Sequence, residues 1–404
     1  MAKIALKKIS KGNKMTQPRW PLMKNAVTWG DKYQMVKFLL TSDRYTNGPK
    51  VREFEAQWAD WVGSKHALMV SSGSTANSLL MAAVKEKYGL KDGDKCLVPA
   101  CTWVTNISPV FQLGFKPIFC DVNLQNFSFD IDHMKEIKEK HPDIKVIFVT
   151  HLLGYPADTN LFQKIFPDAI ILDDVCESHG CLDENNQRVG ANSIAASFSF
   201  YFGHHMTTIE GGMVNTNDSD LYELMRMKRS HGLARESGNL KKYADQYPEI
   251  HSQFLFMTDG YNFRSTDFNA VLGMSQLKRL DSMIDQRREN YRTFVQIMDR
   301  HRDKFYPVYH DYGNSSFAFP FICKTPELTK VMKTVFDANG VEHRPIVGGN
   351  LLRQPFLKGY KFGTPRKNAN VDLLNDNGVY IGNSHFVTDE DMDWLAHTLE
   401  EIHA

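Results

Sequence analysis

The sequence predicts an α/β protein with a mainly parallel sheet, and three observations support that fold class. Short apolar runs alternate with helix-like segments from Lys65 to Asn215, as in strands joined by crossover helices. The chain has 404 residues, enough to bury a substantial core. Its composition, 42% hydrophobic and 24% charged, is ordinary for a globular protein. We therefore expect one large domain and one smaller domain.

Seven apolar runs are the predicted strands of the large sheet. Each is short and is bounded by turn residues or by a helix-like segment, and helices between successive parallel strands would cover both faces of the sheet. In chain order the runs are His66–Val70, Lys95–Val98, Pro117–Cys120, Lys145–Thr150, Ala169–Leu172, Ala195–Phe200 and Met213–Asn215.

Beyond these strands the pattern becomes less regular. The polar stretch Arg235–Glu249 has no periodicity and predicts a surface loop. A helix-like pattern over Met274–Met298 leads away from the large sheet. Three later segments predict strands of a small α+β domain, namely Tyr306–Cys323, Val341–Pro345 and Val379–Ile381. These patterns place an N-terminal segment at residues 1–30, a large domain at residues 31–285 and a small C-terminal domain at residues 286–404.

Charge, cysteine usage and hydropathy exclude several classes of function. With 48 Lys+Arg against 47 Asp+Glu, the formal net charge of +1 gives no global field for nucleic acid or an anionic membrane. The six cysteines are scattered without a C-x-x-C pair, which argues against a zinc or redox motif. No stretch approaches the roughly eighteen apolar residues that a membrane span needs. We therefore expect a cytoplasmic protein that binds any anionic ligand locally.

A turn of small residues, Ser71–Asn77, separates the strand that ends at Val70 from an apolar helical pattern. A turn of this kind exposes backbone N–H groups beside the positive end of a helix dipole, so it can bind an anion. Serine and threonine also cap helices that bind no ligand. Taken alone, the segment is compatible with a phosphate site and with a simple helix cap.

Carboxylates follow the predicted strand Ala169–Leu172 in the segment Asp173–Glu177. Ligands of open α/β sheets bind at the carboxyl edge of the sheet, where this segment must lie. A carboxylate there could hold the protonated ring nitrogen of a cofactor. A surface turn or a helix cap is an equally simple interpretation of this segment by itself.

Paired histidines, His204 and His205, follow an aromatic strand and precede the Glu-Gly-Gly turn Glu210–Gly212. A lone histidine in a core strand is usually a satisfied side chain, whereas a pair raises the possibility of a metal. Adjacent residues on a strand point to opposite faces, so they rarely bind one ion together. We therefore expect no metal site here.

Together with Trp103 and Gly260–Arg264, these segments resemble the family of vitamin B6-dependent sugar-nucleotide aminotransferases. The order and spacing of the family's motifs are followed from about Trp20 to the C-terminus. In that family a lysine six residues before the glutamate of the Glu-Gly-Gly turn binds the cofactor covalently. Six residues before Glu210 this chain has His204. Histidine at that place is similar to the 3-dehydratases of the family.

The resemblance implies a fold type I, aspartate aminotransferase-like large domain with a small α+β domain, and pyridoxal or pyridoxamine 5′-phosphate as the cofactor. It also implies a homodimer with shared active sites. By this resemblance, Gly73, Ser74 and Ser199 bind the cofactor phosphate, and Trp103 stacks on the pyridine ring. Asp174 pairs with the ring nitrogen, and Glu177 lies near the ring substituents. Asn262 reaches the phosphate in the neighbouring subunit's site.

The missing lysine decides which reaction the resemblance implies. Lysine anchors the cofactor and moves a proton, whereas the imidazole of His204 can do only the second. A free amine form of the cofactor would then meet a nucleotide-linked 4-keto-6-deoxysugar directly. The implied reaction is loss of the C3 hydroxyl, with His204 as the catalytic base and acid, L-glutamate restoring the amine form, and ammonia released.

Four cationic or imidazole side chains are weaker candidates for substrate contacts, because a phosphorylated sugar needs donors. They lie in Arg229–Arg235 and Val341–Asn350, two segments similar to the 3-dehydratase subgroup, and they are His231, Arg235, His343 and Arg344.

Three alternatives concern the chemistry. Related dehydratases that use an iron–sulfur cluster hold it by cysteines beyond the histidine. This chain has no cysteine between Cys181 and Cys323, so the cluster-dependent, reductase-coupled reaction is set aside. The chain could also be an aminotransferase that leaves the nitrogen on the sugar and uses histidine as its base. A third hypothesis is a non-catalytic cofactor-binding protein, although retention of Asp174, Glu177 and the Glu-Gly-Gly turn argues against a decayed site.

Overall fold

A seven-stranded sheet is the centre of the larger part of the chain. The computed structural model describes residues 19–309, 313–360 and 369–402. All seven predicted strands are confirmed, with ends that shift by at most two residues. The strands are β1 (His66–Val70), β2 (Lys95–Pro99), β3 (Lys116–Cys120), β4 (Val146–Thr150), β5 (Ile170–Asp174), β6 (Ala196–Ser199) and β7 (Gly212–Thr216).

The sheet is mainly parallel, as the alternation of strands and helices predicts. Its strand order is β1-β7-β6-β5-β4-β2-β3, and only β7 runs antiparallel to its neighbours. Gly212, the first residue of β7, pairs with Ser199 on β6 and with Val70 on β1. The ends of β1 and β6 therefore meet beside the start of β7, which brings the Ser71–Asn77 turn next to Ser199.

Thirteen α-helices lie within the described residues. Their bounds are α1 (Trp29–Thr41), α2 (Pro49–Val62), α3 (Gly73–Lys87), α4 (Val104–Gln112), α5 (Ile131–Lys140), α6 (Thr159–Ile165), α7 (Ser219–Arg229), α8 (Leu240–Gln246), α9 (Asp267–Leu277), α10 (Leu280–Asp299), α11 (Pro326–Ala338), α12 (Asn370–Asn377) and α13 (Asp389–Glu401). None of the helices in these ranges combines the length and apolar character that a membrane crossing requires.

Two predictions for the middle of the chain were wrong. The single helix expected over Met274–Met298 is two helices, because Arg279 leaves the helical conformation and binds buried Asp31 through both guanidinium Nη atoms. The loop expected over Arg235–Glu249 contains α8 and a short 3₁₀ turn. Helix α8 has no buried residue, which explains why no apolar periodicity marks it.

A second, three-stranded antiparallel sheet is built from β8 (Ala318–Ile322), β9 (His343–Arg344) and β10 (Gly378–Gly382), in the order β8-β10-β9. Within the described part of the strand predicted over Tyr306–Cys323, only Ala318–Ile322 forms a strand. The boundary predicted at residue 285 lies inside α10, and the division into domains stays a prediction. One apolar core continues from the large sheet into the small one, through residues such as Phe148 and Phe319.

Candidate active site

A cavity of about 440 Å³ lies at the carboxyl edge of the large sheet. Its lining brings together eight residues for which the sequence analysis expects a role. They are Gly73, Ser74, Trp103, Asp174, Glu177, Ser199, His204 and Arg344.

The N-terminus of α3 forms one wall of the cavity. Ser72 caps the helix: its hydroxyl accepts from the Thr75 backbone N–H at 3.1 Å, and Thr75 Oγ1 accepts from the Ser72 N–H at 2.9 Å. A Cβ on Gly73 would lie 2.5 Å from the Cβ of Ser199 and 2.9 Å from its hydroxyl. Glycine is therefore required for this close approach, which places backbone N–H groups beside the Ser199 hydroxyl in an arrangement suited to an anion.

Asp174 ends β5 with a buried carboxylate. Asn77 Nδ2 donates to its Oδ2 at 2.8 Å, and the Cys176 backbone N–H donates to its Oδ1 at 3.1 Å. Asn77 is itself held by the Ser197 hydroxyl. These donors fix an acceptor that can pair with a protonated ring nitrogen. No role was predicted for Asn77 from the sequence, although its place four residues after Gly73 on α3 was a signal.

Glu177 lies on the same wall, where the Leu153 backbone N–H donates to its Oε2 at 3.0 Å. Burial raises the pKa of Glu177 to about 7, and the charge of Asp174 adds to the shift. This carboxyl group can therefore donate or accept a proton near neutral pH.

His204 projects into the cavity from the turn between β6 and β7. Its backbone N–H donates to the Tyr201 carbonyl at 3.0 Å, and Asn269 Nδ2 holds the far side of the turn through the Thr208 and Glu210 carbonyls at 2.6 and 2.8 Å. The side chain is half-buried, and its Nδ1 is enclosed and has no hydrogen-bond partner among the described residues. Burial lowers the pKa of His204 to about 4, and buried Arg287 adds to the effect, so the ring is neutral at pH 7.

His205 lies in the same turn after β6, not on a strand as the sequence predicted, and its side chain faces the core. It is buried, and its Nε2 donates to the Ser315 carbonyl at 3.0 Å. Within the described ranges, no cluster of three or more histidine, cysteine, aspartate or glutamate side chains could hold a metal ion. The two histidines lie in different surroundings, because His204 faces the cavity and His205 faces the core.

Four predicted site residues lie outside the cavity wall. Exposed Asn262 accepts from Arg264 Nε at 3.0 Å, and exposed His231 approaches Arg264 Nη2 at 3.4 Å. Arg235 donates to the Gln253 carbonyl at 3.1 Å. The remaining residue, His343, contacts Asp337 at 3.1 Å and not the cavity. Their roles stay predictions, and the role given to Asn262 concerns a neighbouring subunit.

The wall opposite the sheet was missed by the sequence analysis, apart from Arg344. It is formed by Met23, Phe317 and Tyr380 together with Arg344. The Met23 sulfur packs so closely on Gly203 that a Cβ there would overlap it. These residues come from segments far apart in the chain and carry no common motif, so no local signal could have found them.

These features fit a pyridine cofactor that carries a phosphate. The glycine-dependent turn at Gly73 is suited to an anion, and Asp174 is a buried acceptor on the same cavity lining. His204 offers a ring nitrogen that has no partner among the described residues. The fold and the cavity together define an enzyme of the aminotransferase class of α/β proteins.

Comparison with known proteins gives the family. The model of the DegT/DnrJ/EryC1/StrS aminotransferase family matches residues 29–400, so the chain belongs to that family. The resemblance found in the sequence is thereby confirmed.

Two relatives that match nearly the whole chain are dehydratases. The chain is 35% identical to GDP-4-keto-6-deoxy-D-mannose 3-dehydratase of Escherichia coli, over 92% of this chain and 98% of the relative. It is 33% identical to the enzyme of the same name from Yersinia pseudotuberculosis, over 93% and 97%. A solved structure of the E. coli enzyme with bound hydrated PLP superposes with a TM-score of 0.86 at 32% identity, covering 95% of this chain and all of that one. Another solved structure of a GDP-4-keto-6-deoxymannose 3-dehydratase, with a trapped PLP-glutamate geminal diamine, superposes with a TM-score of 0.85 at 33% identity, covering 94% of this chain and 100% of that one.

Proposed function

We propose that this protein removes the C3 hydroxyl from a GDP-linked 4-keto-6-deoxymannose-type sugar, using pyridoxal and pyridoxamine 5′-phosphate as its cofactor. L-Glutamate regenerates the amine form, and ammonia leaves. The observation that carries this function is the imidazole of His204 on the cavity lining, with an Nδ1 that has no partner among the described residues, at the place where the family has lysine. Two relatives that match more than nine tenths of the chain, at 35% and 33% identity, are dehydratases of this kind.

The sheet side of the cavity would hold the cofactor. The α3 N-terminus with Gly73 and Ser74, together with the Ser199 hydroxyl, binds the phosphate. Asp174 pairs with the ring nitrogen, and Trp103, which is 56% exposed at the cavity, covers a face of the ring. When bound, the cofactor supplies an amine for the C4 carbonyl of the sugar and a ring that accepts electrons.

His204 moves the proton. Because the imidazole is neutral, it can take the proton at C4′ of the cofactor as a general base. The imidazolium that results is a strong acid in this buried site and donates to the C3 hydroxyl as that group leaves. Glu177 has a pKa of about 7 and lies on the same wall, where it holds a proton near the ring substituents.

Arg344 is the best placed of the four weaker substrate candidates. It lies on the cavity lining and is exposed, and its Nη1 donates to the backbone carbonyl of His343 at 3.0 Å. A guanidinium in this position can bind the diphosphate of the sugar nucleotide or a carboxylate of glutamate. His231, Arg235 and His343 remain weaker candidates for the same substrate.

The homodimer is part of the proposal, and an apolar stripe on α1 supports it. Trp29, Tyr33, Val36 and Leu40 recur at helical spacing and are 83%, 64%, 53% and 80% exposed. A stripe of this kind needs a partner surface, and a second copy of the chain also brings Asn262 to the neighbouring phosphate site. Light scattering of the purified protein should give twice the chain mass; a monomer that retains activity would refute this part.

The cytoplasm is the proposed location. All six cysteines are free, which fits a reducing compartment.

The function is tested by incubating the purified protein with a panel of nucleotide-linked 4-keto-6-deoxysugars, pyridoxal phosphate and L-glutamate. We expect a product one oxygen lighter from the GDP-linked sugar, together with 2-oxoglutarate. A control without glutamate should give no product, because pyridoxal phosphate alone brings no amine to the C4 carbonyl of the sugar. Formation of an aminosugar that keeps its C3 oxygen would favour the aminotransferase, and no turnover of any sugar would refute the proposal.

A further inference from the structure

Arg287 is a buried cation that has no acidic partner among the residues described by the structure. It lies on α10 with 4% of its surface exposed. Its Nη1 donates to the backbone carbonyls of Asn383 and, at 3.4 Å, Phe317, while its Nε has no partner among the described residues. Among the described residues no carboxylate pairs with Arg287. Burial is the one cause that lowers the pKa of its guanidinium, to about 10. An unpaired buried guanidinium is costly to folding, so its position calls for an explanation.

The guanidinium is linked to the candidate base through Phe317. Phe317, whose carbonyl accepts from Arg287, packs its ring 5.6 Å from the ring of His204. The same segment is fixed by Asn383, which donates to the Ser316 carbonyl at 3.2 Å and to the Arg287 carbonyl at 2.9 Å. Arg287 therefore anchors the wall against which the imidazole rests.

The positive charge of Arg287 also affects the protonation of His204. A cation in a region of low dielectric constant disfavours a nearby imidazolium, and Arg287 is almost fully buried. After burial, Arg287 is the cause that lowers the pKa of His204, and it acts in the same direction on buried His205 and His179.

We propose that Arg287 is a positioning residue for the proton transfer, which holds Phe317 against the His204 ring and keeps that imidazole neutral and ready to accept a proton. The inference rests on the proposed function, since it assigns a task to a residue that touches neither substrate nor cofactor. It also gives a reason for a buried cation that has no carboxylate partner in the described part of the chain.

Other titratable groups face His204 and must be considered in any pH profile. Two buried imidazoles approach it from behind, a phenol lies beside it, and carboxyl and guanidinium groups line the cavity in front. These groups are His179, His205, Tyr201, Glu177, Glu210 and Arg344.

The test compares three variants by the pH dependence of kcat/KM. Arg287→Gln keeps a donor for the carbonyls but removes the charge, so the acid limb should move upward by about one pH unit, toward the ordinary value for histidine. Arg287→Lys keeps the charge and should leave the limb near the wild-type position. Asn290→Leu is the matched control: it removes hydrogen bonds to Asn383 and Ser384 in the same polar layer without a change of charge. Its acid limb should not move.

An unchanged acid limb in Arg287→Gln, or the same shift in Asn290→Leu, would overturn the proposal. If the variants do not fold, histidine NMR of the wild-type holoenzyme decides, with the His204 signal assigned from its absence in His204→Asn. A His204 imidazole that titrates at or above pH 6.5 would refute the proposal. This titration needs no turnover, so it separates failure of the inference from failure of the proposed dehydratase function.

Discussion

The two walls of the cavity are built differently. On the sheet wall, Gly73, Asp174 and Ser199 stand at the ends of α3, β5 and β6, and each is fixed by backbone contacts or by buried hydrogen bonds. The covering wall consists of Met23 from the N-terminal segment, Phe317 just before β8, and Arg344 and Tyr380 from the small sheet. Its only charged member, Arg344, is exposed and bonded to a backbone carbonyl.

This difference separates two tasks. Cofactor chemistry requires groups held within fractions of an ångström, which strand ends and helix termini provide. Recognition of a variable substrate can be left to side chains that approach from another part of the chain. Changes on the sheet wall should therefore affect turnover and cofactor binding, and changes on the covering wall should affect substrate affinity.

The largest effect should come from His204. His204→Asn removes the base and acid while leaving the anion site and Asp174 intact, so we expect kcat to fall by about 10³-fold with cofactor affinity nearly unchanged. His205→Asn is the matched control, because that side chain faces the core. Steady-state kinetics and cofactor titration measure both. Substantial turnover by His204→Asn would show that another group is the base.

A smaller effect, on the cofactor, is expected from Gly73→Ala. The new Cβ would lie 2.5 Å from the Cβ of Ser199, so α3 or β6 must shift and the phosphate site must open. We expect affinity for pyridoxal phosphate to fall by about 10- to 100-fold, as when one or two charged hydrogen bonds are lost. In the control Gly30→Ala the nearest atom is 3.6 Å away. Equal affinities for the two variants would contradict the assigned phosphate site.

Arg344→Ala tests the covering wall. It should raise KM for the sugar nucleotide or for glutamate by about tenfold and leave the cofactor in place, because one charged hydrogen bond to a ligand is lost. Half-reaction kinetics with each substrate alone identify which one Arg344 binds. Loss of cofactor without a change in KM would remove the distinction between the two walls.

The smallest effect concerns stability. The pKa of Glu177 is raised to about 7 in the folded protein, above the ordinary 4.5, so ionisation of this group opposes folding. The free energy of unfolding of the cofactor-free protein should therefore fall as pH rises from 5 to 8. Glu177→Gln should remove about 1–2 kcal/mol of that fall. Urea unfolding at both pH values measures it, and an unchanged pH dependence would place Glu177 in a solvated site.

The contrast between the walls also explains what the sequence could predict. The strands and the residues Gly73, Asp174, Ser199 and His204 were predictable because each motif is contiguous and parallel strands end at one edge. Met23, Phe317 and Tyr380 were not, since only the folded chain brings them to the cavity. The break between α9 and α10 depends on the pairing of Arg279 with Asp31, which are far apart in sequence.

The fate of nitrogen tests the central claim most directly, because the dehydratase and the aminotransferase share the glutamate step. With ¹⁵N-glutamate in D₂O, loss of the C3 hydroxyl predicts labelled free ammonia, an unlabelled keto sugar one oxygen lighter, and deuterium at C3. A stable ¹⁵N-aminosugar that retains its C3 oxygen, without ammonia, would contradict the account and identify the enzyme as an aminotransferase.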